Sequence, residues 1–191
     1  MDADFSIELG REDPVLDFPW SDPDGKLAYF DLKRHPELLT HVEEARRSPE
    51  LAEFLRAVNS AISTVESAKC DAWATEELSP EEEILGASHK FASYVDLVFS
   101  RADDRESFPF HELFAKKLVE LLRRAPETQS AVEVCVRRCR FHTEVKSGAS
   151  FYFTVYVSGY GDDQARARQN WGIGLRLVGN AVLRLSAVGL A

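Results

Sequence analysis

Three cysteines, one methionine and 23 basic against 32 acidic side chains leave this chain short of several things that other proteins depend on. An odd set of thiols, Cys70, Cys135 and Cys139, does not make the disulfide framework of a small secreted scaffold, so reduced thiols are expected. A formal charge of −9 argues against nucleic acid as a partner, because phosphate contacts need a basic footprint. The most apolar stretch, 171–191, is interrupted by Arg176, Asn180 and Arg184, so no run is long and charge-free enough to span a bilayer. The start, Met1-Asp2-Ala3-Asp4, is acidic where a secretory leader would be basic, and a cytoplasmic location without a membrane partner is expected. The sequence also lacks H-E-x-x-H, G-x-G-x-x-G, a Walker lysine and a nucleophile elbow, which removes the commonest local signatures of catalysis.

What is present is the composition of an ordinary folded protein, 191 residues with 45% hydrophobic and 29% charged side chains. Charge is uneven: residues 1–100 hold 9 basic and 22 acidic side chains, net −13, whereas 101–191 hold 14 and 10, net +4. Docking of the acidic half on the basic half is the simplest use of that asymmetry. Residues 1–33 contain Pro14, Pro19, Pro23 and an Asp24-Gly25 turn, which prevent a long helix, and aromatics that a solvated tail would not need. They read as an extended, acidic, Pro-rich arm with one short strand at most, packed on a single domain spanning 34–191.

Within that domain the hydrophobic period alternates between helical and extended. Helices are predicted after Pro36 and after Ser48-Pro49, where Leu51, Phe54, Leu55, Val58 and Ile62 form one stripe. From Ala68 the period becomes two, and after an acidic turn (Glu76, Glu77, Ser79-Pro80-Glu81-Glu82-Glu83) the strand Phe91 to Phe99 follows. Ser107 and Pro109 open another helix, Ala131 to Phe141 and Phe151 to Val157 are two further strands, and a glycine-containing helix from near Gln164 closes the chain. The fold class is therefore α+β: an antiparallel sheet of about four to five strands with helices packed on one face, in the order α-α-β-β-α-β-β-α. A weak ββα duplication underlies it, since two alternating strands each run into an aspartate pair, Asp103-Asp104 and Asp162-Asp163, and then a helix.

In element order, acidity and size the chain resembles the type III secretion chaperone fold. That resemblance implies a non-catalytic module that binds a protein partner.

The strict alternation separates the two faces of the sheet. If Phe91, Val95, Leu97, Val132, Val134, Val136, Phe153, Val155 and Val157 face the helices, the opposite face displays Lys69, Asp71, Trp73, Tyr94, Asp96, Glu133, Cys135, Tyr152, Thr154 and Tyr156. The segment Val136 to Phe141 breaks phase, and a β-bulge near Arg137 or Arg138 would put Phe141 on the apolar side and swing Arg140 and His142 onto the tyrosine face. The candidate ligand or partner face is thus Trp73, Tyr94, Asp96, Arg137, Arg140, His142, Tyr152, Thr154 and Tyr156. Either a small ligand occupies it, or the arm or a second subunit covers it.

Other constellations reduce to structural roles. The aspartate pairs suit helix capping better than a cation site. The spacing Cys135-x3-Cys139-x2-His142 superficially suggests zinc, but on a strand the two sulfurs would stand about 13 Å apart. His111-Glu112 is read as a solvated first turn, and Gly159-Tyr160-Gly161 as a flexible turn whose following aspartates would repel phosphate. No catalytic residue, metal or cofactor is assigned. The expected function is a cytoplasmic protein-binding or chaperone-like module, a homodimer included, acting through the polar-aromatic face or the C-terminal helix. The alternative is a small-ligand-binding protein or enzyme using the same face, with arginine as charge partner and His142 as acid or base.

Overall fold

A computed structural model of the chain describes residues 1–22, 24–25, 28–79, 82, 86–142 and 147–189. Pro23 of the arm and Pro80, Glu81 and Glu83 of the acidic turn lie outside the described residues. The elements run β1 (Asp2–Glu8), β2 (Val15–Phe18), a 3-10 helix (Pro36–His41), α1 (Glu43–Arg47), α2 (Pro49–Val58), β3 (Val65–Thr75) and β4 (His89–Phe99). They continue with α3 (Ala102–Glu106), α4 (Phe108–Arg123), β5 (Ser130–His142), β6 (Ser147–Gly161) and α5 (Gln164–Val188). Among the described residues six strands form one sheet, five in the order β1-β5-β6-β4-β3 and β2 beside β5. The four long strands are antiparallel, as the alternating pattern predicts.

The arm differs from its sequence reading in having two strands. β1 pairs in parallel with Ala131–Arg137 and β2 with Arg138–Phe141, so both run one after the other along the same edge of β5. Residues 2–8 alternate polar and apolar side chains, the pattern of a half-buried strand, and pairing there covers an edge that would otherwise present free N–H and C=O groups.

The helices lie on one face, as expected. Val95, Leu97 and Phe99 of β4 and Phe153, Val155 and Val157 of β6 are fully buried against Phe114, Leu118 and Leu122 of α4 and Trp171, Leu175 and Val178 of α5. Their burial is the main favourable contribution to folding, roughly 1.5–3 kcal/mol per large apolar side chain. Ser107 caps α4, accepting a hydrogen bond from the Phe110 N–H at 3.3 Å, and Asp163 caps α5 through the Arg166 N–H at 2.7 Å. Asp103 and Asp104 do not cap: they lie in the first turn of α3, where their charge interacts favourably with the positive end of the helix dipole, and Arg101 holds the cap position. Ion pairs join the acidic half to the basic half: Asp4 with Arg123, Glu8 with Arg137, Asp17 with Arg140 and Glu50 with Arg168, and His142 contacts the same Asp17 carboxylate.

The glycines of β6 and α5 are taken up inside the fold. A Cβ on Gly159 would stand 2.0 Å from the Trp171 nitrogen and 2.4 Å from the Ala167 carbonyl oxygen, so strand and helix backbones touch there. Gly174 meets Val157 and Ser130 across the same interface. Contact this close positions the Trp171 ring, whose Nε1–H donates to Ser93 Oγ at 2.8 Å.

His111 departs from its reading as a solvated residue. Its ring is fully buried among Phe99, Phe151 and Phe153, with Nδ1 2.8 Å from the Ser107 carbonyl oxygen. The residue that opens a helix need not face water when a second layer covers the helix start, and here β4 and β6 do so. Burial holds the imidazole neutral and lowers its pKa to about 4.

Gly159→Ala is expected to destabilise the fold by about 3 kcal/mol or more, because the added methyl meets backbone on both sides. Gly179→Ala, whose nearest neighbour would be a Phe54 ring carbon at 3.5 Å, is expected to be neutral or to stabilise by up to about 1 kcal/mol in urea unfolding. His111 binds its proton more weakly folded than unfolded, so the stability that depends on the neutral ring is lost as pH falls from about 6.5 through about 4. Asp96 and Glu66, whose carboxyls burial raises, contribute with the opposite sign, so the difference between His111→Leu and the parent protein is the diagnostic quantity. That difference is expected to move by roughly 3 kcal/mol in favour of the variant between pH 7 and pH 4.

Candidate functional site

On the face away from the helices, the strand registers bring polar side chains into transverse rows. Lys69, Asp96, Thr154, Cys135 and Ser6 occupy one row, and Asp71, Tyr94, Tyr156, Glu133 and Asp4 the next. The rows form because β3 contains a bulge at Ala68: before it Val65 and Ser67 face the helices, after it Lys69, Asp71 and Trp73 face the tyrosines. The extra residue leaves its carbonyl available, and the Trp20 Nε1–H donates to the Ala68 oxygen at 2.6 Å, tying the arm to the sheet at that point.

The bulge expected in β5 is absent, which corrects the placement of two candidates. β5 and β6 pair without a register shift from Ser130↔Gly159 to His142↔Ser147. Phe141 therefore shares a face with Arg137 and Cys139, while Arg140 and His142 take the opposite phase. Phe141 needs no passage to the helix side because the arm provides a second apolar cluster: Leu16, Phe18, Ala68, Val98, Cys139 and Tyr152, with Trp20, Tyr29 and Phe141 packed against it. Phe18 lies 4.5 Å from Tyr29 and 5.5 Å from Phe141, ring centre to ring centre. His142 instead contacts Asp17 Oδ1 and Ser147 Oγ, each at 2.9 Å, with Arg140 3.9 Å from the same Asp17 oxygen.

The arm covers only one end of the polar face. Beside it a cleft of about 380 Å³ remains, walled by Pro14, Val15, Leu16, Asp17, Trp20 and Ser21 on one side and floored by Lys69, Tyr94, Asp96, Arg137, Tyr152, Thr154 and Tyr156. Six of the nine candidate residues thus meet in one place: Tyr94, Asp96, Arg137, Tyr152, Thr154 and Tyr156. Trp73 extends the group outward. Its ring lies 6.5 Å from Tyr94, which lies 6.3 Å from Tyr156, and it is 40% exposed.

A hydrogen-bonded chain crosses the floor. Arg137 Nε donates to Glu8 Oε2 at 2.7 Å, and its Nη1 donates to Thr154 Oγ1 at 2.8 Å and to the Tyr156 hydroxyl at 3.0 Å. Thr154 Oγ1 in turn donates to Asp96 Oδ1 at 2.7 Å. Asp96 is 6% exposed and has no other hydrogen bond and no ion pair among the described residues. Burial raises its carboxyl to about 6, against the Thr154 hydrogen bond and the Arg137 charge, which favour the ionised form. Burial likewise pushes the Tyr94 hydroxyl up to about 12 and raises Tyr152, leaving both as neutral donors. The hydrogen bond from Arg137 lowers Glu8.

The three thiols carry no sign of activation. Burial raises Cys70 to about 12 and Cys139 to about 11 and also raises Cys135, the reverse of what a nucleophilic thiolate needs. Among the described residues no group of three or more His, Cys, Asp or Glu side chains is arranged to hold a metal ion.

Sequence reasoning missed the arm's contribution, the apolar wall from Pro14 to Trp20 and the carboxylate of Glu8. The signal for Glu8 lay in its phase with Asp2, Asp4 and Ser6. For the wall there was none, because its place depends on the path of residues 9–21 over the sheet. Lys69 belonged to the polar phase of its strand and joins the site through the Ala68 bulge.

An unpaired buried carboxylate opposes folding. Because its folded pKa lies above its unfolded value, the folded protein binds the extra proton between pH 4 and pH 6, and the penalty is present in full above pH 6. Asp96→Asn is expected to match the parent in stability near pH 4 and to exceed it by about 3 kcal/mol at pH 8, measured by denaturant unfolding across that range.

Compared with known proteins, the chain matches no family model, no curated protein and no solved structure, so the resemblance in element order to type III secretion chaperones draws no support from them.

Proposed function

We propose that this protein is a binding module that takes a small organic molecule into the cleft between the arm and the polar face of the sheet. The observation that carries this reading is the cleft itself: about 380 Å³, with tyrosine and apolar walls and a few convergent polar groups around a buried carboxylate. That combination of volume and lining is the usual form of a small-ligand site. Binding is favoured over turnover because the polar groups of the floor are hydrogen-bonded to one another in the sequence Glu8, Arg137, Thr154, Asp96, an arrangement that orients groups without creating a nucleophile. His142, the acid or base of the enzyme alternative, contacts Asp17 and Ser147 and does not line the cleft.

Docking of a protein partner or a second copy is the second reading, favoured by the exposed Trp73 ring beside Tyr94. The glycines of the C-terminal helix do not support it as a dimer seam, since Gly172, Gly174 and Gly179 face Glu50, Val157 and Phe54 of the same chain.

A thermal-shift panel of small metabolites tests the leading reading. A ligand at a hundred times its Kd is expected to add about 2.7 kcal/mol, a rise of roughly 6 °C in Tm, and Tyr94→Ala is expected to remove most of it. A flat panel, or shifts that survive Tyr94→Ala, would overturn the reading. A flat panel together with a stable dimer that Trp73→Ala dissociates would establish the second.

A further inference from the structure

The charges around the cleft do not all cancel, and those left over define the complement of the ligand. Arg137 is neutralised by Glu8 at 2.7 Å, and its remaining contacts are the hydroxyls of Thr154 and Tyr156. Asp17 is engaged by His142 and Arg140. Two charged groups remain without a counterion among the described residues, the Asp96 carboxylate and the Lys69 ammonium. They occupy directly opposed positions on β4 and β3, yet they form no ion pair: Lys69 Nζ turns toward the arm and stands 4.4 Å from the centre of the Trp20 ring.

From this we infer, resting on the reading of the cleft as a small-molecule site, that its ligand is a small zwitterion: an amino carboxylate with an apolar or aromatic side chain. The ammonium donates to the free oxygen of Asp96, the carboxylate accepts from Lys69, and the side chain lies among Tyr94, Tyr152, Tyr156 and Leu16. A singly charged ligand would leave either Asp96 or Lys69 unmatched. A neutral one would leave both, and for Asp96, which is buried, a charge without a partner is the more unfavourable state. Opposed positions on neighbouring strands hold the two groups at a spacing that a molecule with adjacent ammonium and carboxylate can bridge. A ligand of about a dozen non-hydrogen atoms falls within what a site of this size accommodates.

Three probes separate the two charges: phenylalanine carries both, phenethylamine only the ammonium, and 3-phenylpropionate only the carboxylate. Isothermal titration is expected to show phenylalanine binding at least tenfold more tightly than either of the others. Asp96→Asn should weaken phenylalanine and phenethylamine at least tenfold and leave 3-phenylpropionate nearly unchanged. Lys69→Met should weaken phenylalanine and 3-phenylpropionate and leave phenethylamine nearly unchanged. Both substitutions preserve side-chain size, and Asp96→Asn removes an unfavourable buried charge, so loss of folding will not imitate the result. Equal affinity for phenylalanine and phenethylamine, with Lys69→Met silent, would overturn the inference. So would failure of all three probes while a metabolite from the panel still gives a shift dependent on Tyr94, an outcome that leaves the cleft as a binding site. Failure of the probes and of the panel together would remove both.

Discussion

The unbroken pairing of β5 with β6 is the constraint on which the rest of this structure depends. With no register shift from Ser130 to His142, every odd residue of β5 beyond Val134 stays on the face away from the helices, Phe141 included. A large aromatic ring on that face needs cover, and the long helices α4 and α5 are on the other side, although Arg105 of α3, 3.4 Å from the Phe141 ring centre, reaches it from a short helix. The arm supplies it, threading Leu16 and Phe18 alongside Cys139 and Phe141 and burying them together with Tyr29 and Tyr152. The sheet therefore has two apolar clusters, one on each face, and the smaller is built partly by residues that precede the domain core in sequence.

The cleft follows from the limited reach of that cover. β2 is four residues long, and Trp20 fastens the chain to the Ala68 bulge shortly after it ends. Beyond this point the polar rows of β3, β4 and β6 continue without the arm above them, from Asp96 and Thr154 outward to Tyr94, Tyr156 and Trp73. The same rows carry the polar network, because cross-strand neighbours such as Asp96 and Thr154 are brought within hydrogen-bond distance by register alone.

Local alternation was enough to read the helix-facing and polar faces of β4, β6 and the first half of β5, the antiparallel order of the long strands and the starts of α4 and α5. It was also enough to group Tyr94, Asp96, Tyr152, Thr154 and Tyr156, since period two is a property of the backbone and needs no tertiary information. What was not legible required knowledge of what lies above the sheet. Phe141 looked out of phase because an apolar residue on a polar face has no local explanation; the proposed bulge repaired the pattern, whereas the fold repaired it with the arm. His111 looked solvated for the same reason, since nothing adjacent in sequence announces that Phe99, Phe151 and Phe153 enclose it.

The smaller cluster also separates two kinds of opening. Its buried side chains are distinct from those of the main core, so the hydrogen bonds of β2 and the contact of Trp20 with Ala68 can break while the helix-facing layer stays intact. Release of the segment from Pro14 to Ser21, as distinct from β1, whose Ala3 belongs to the main core, is then a sub-global event that removes one whole wall of the cleft. The shape of the cleft and the local persistence of that segment thus become a single equilibrium.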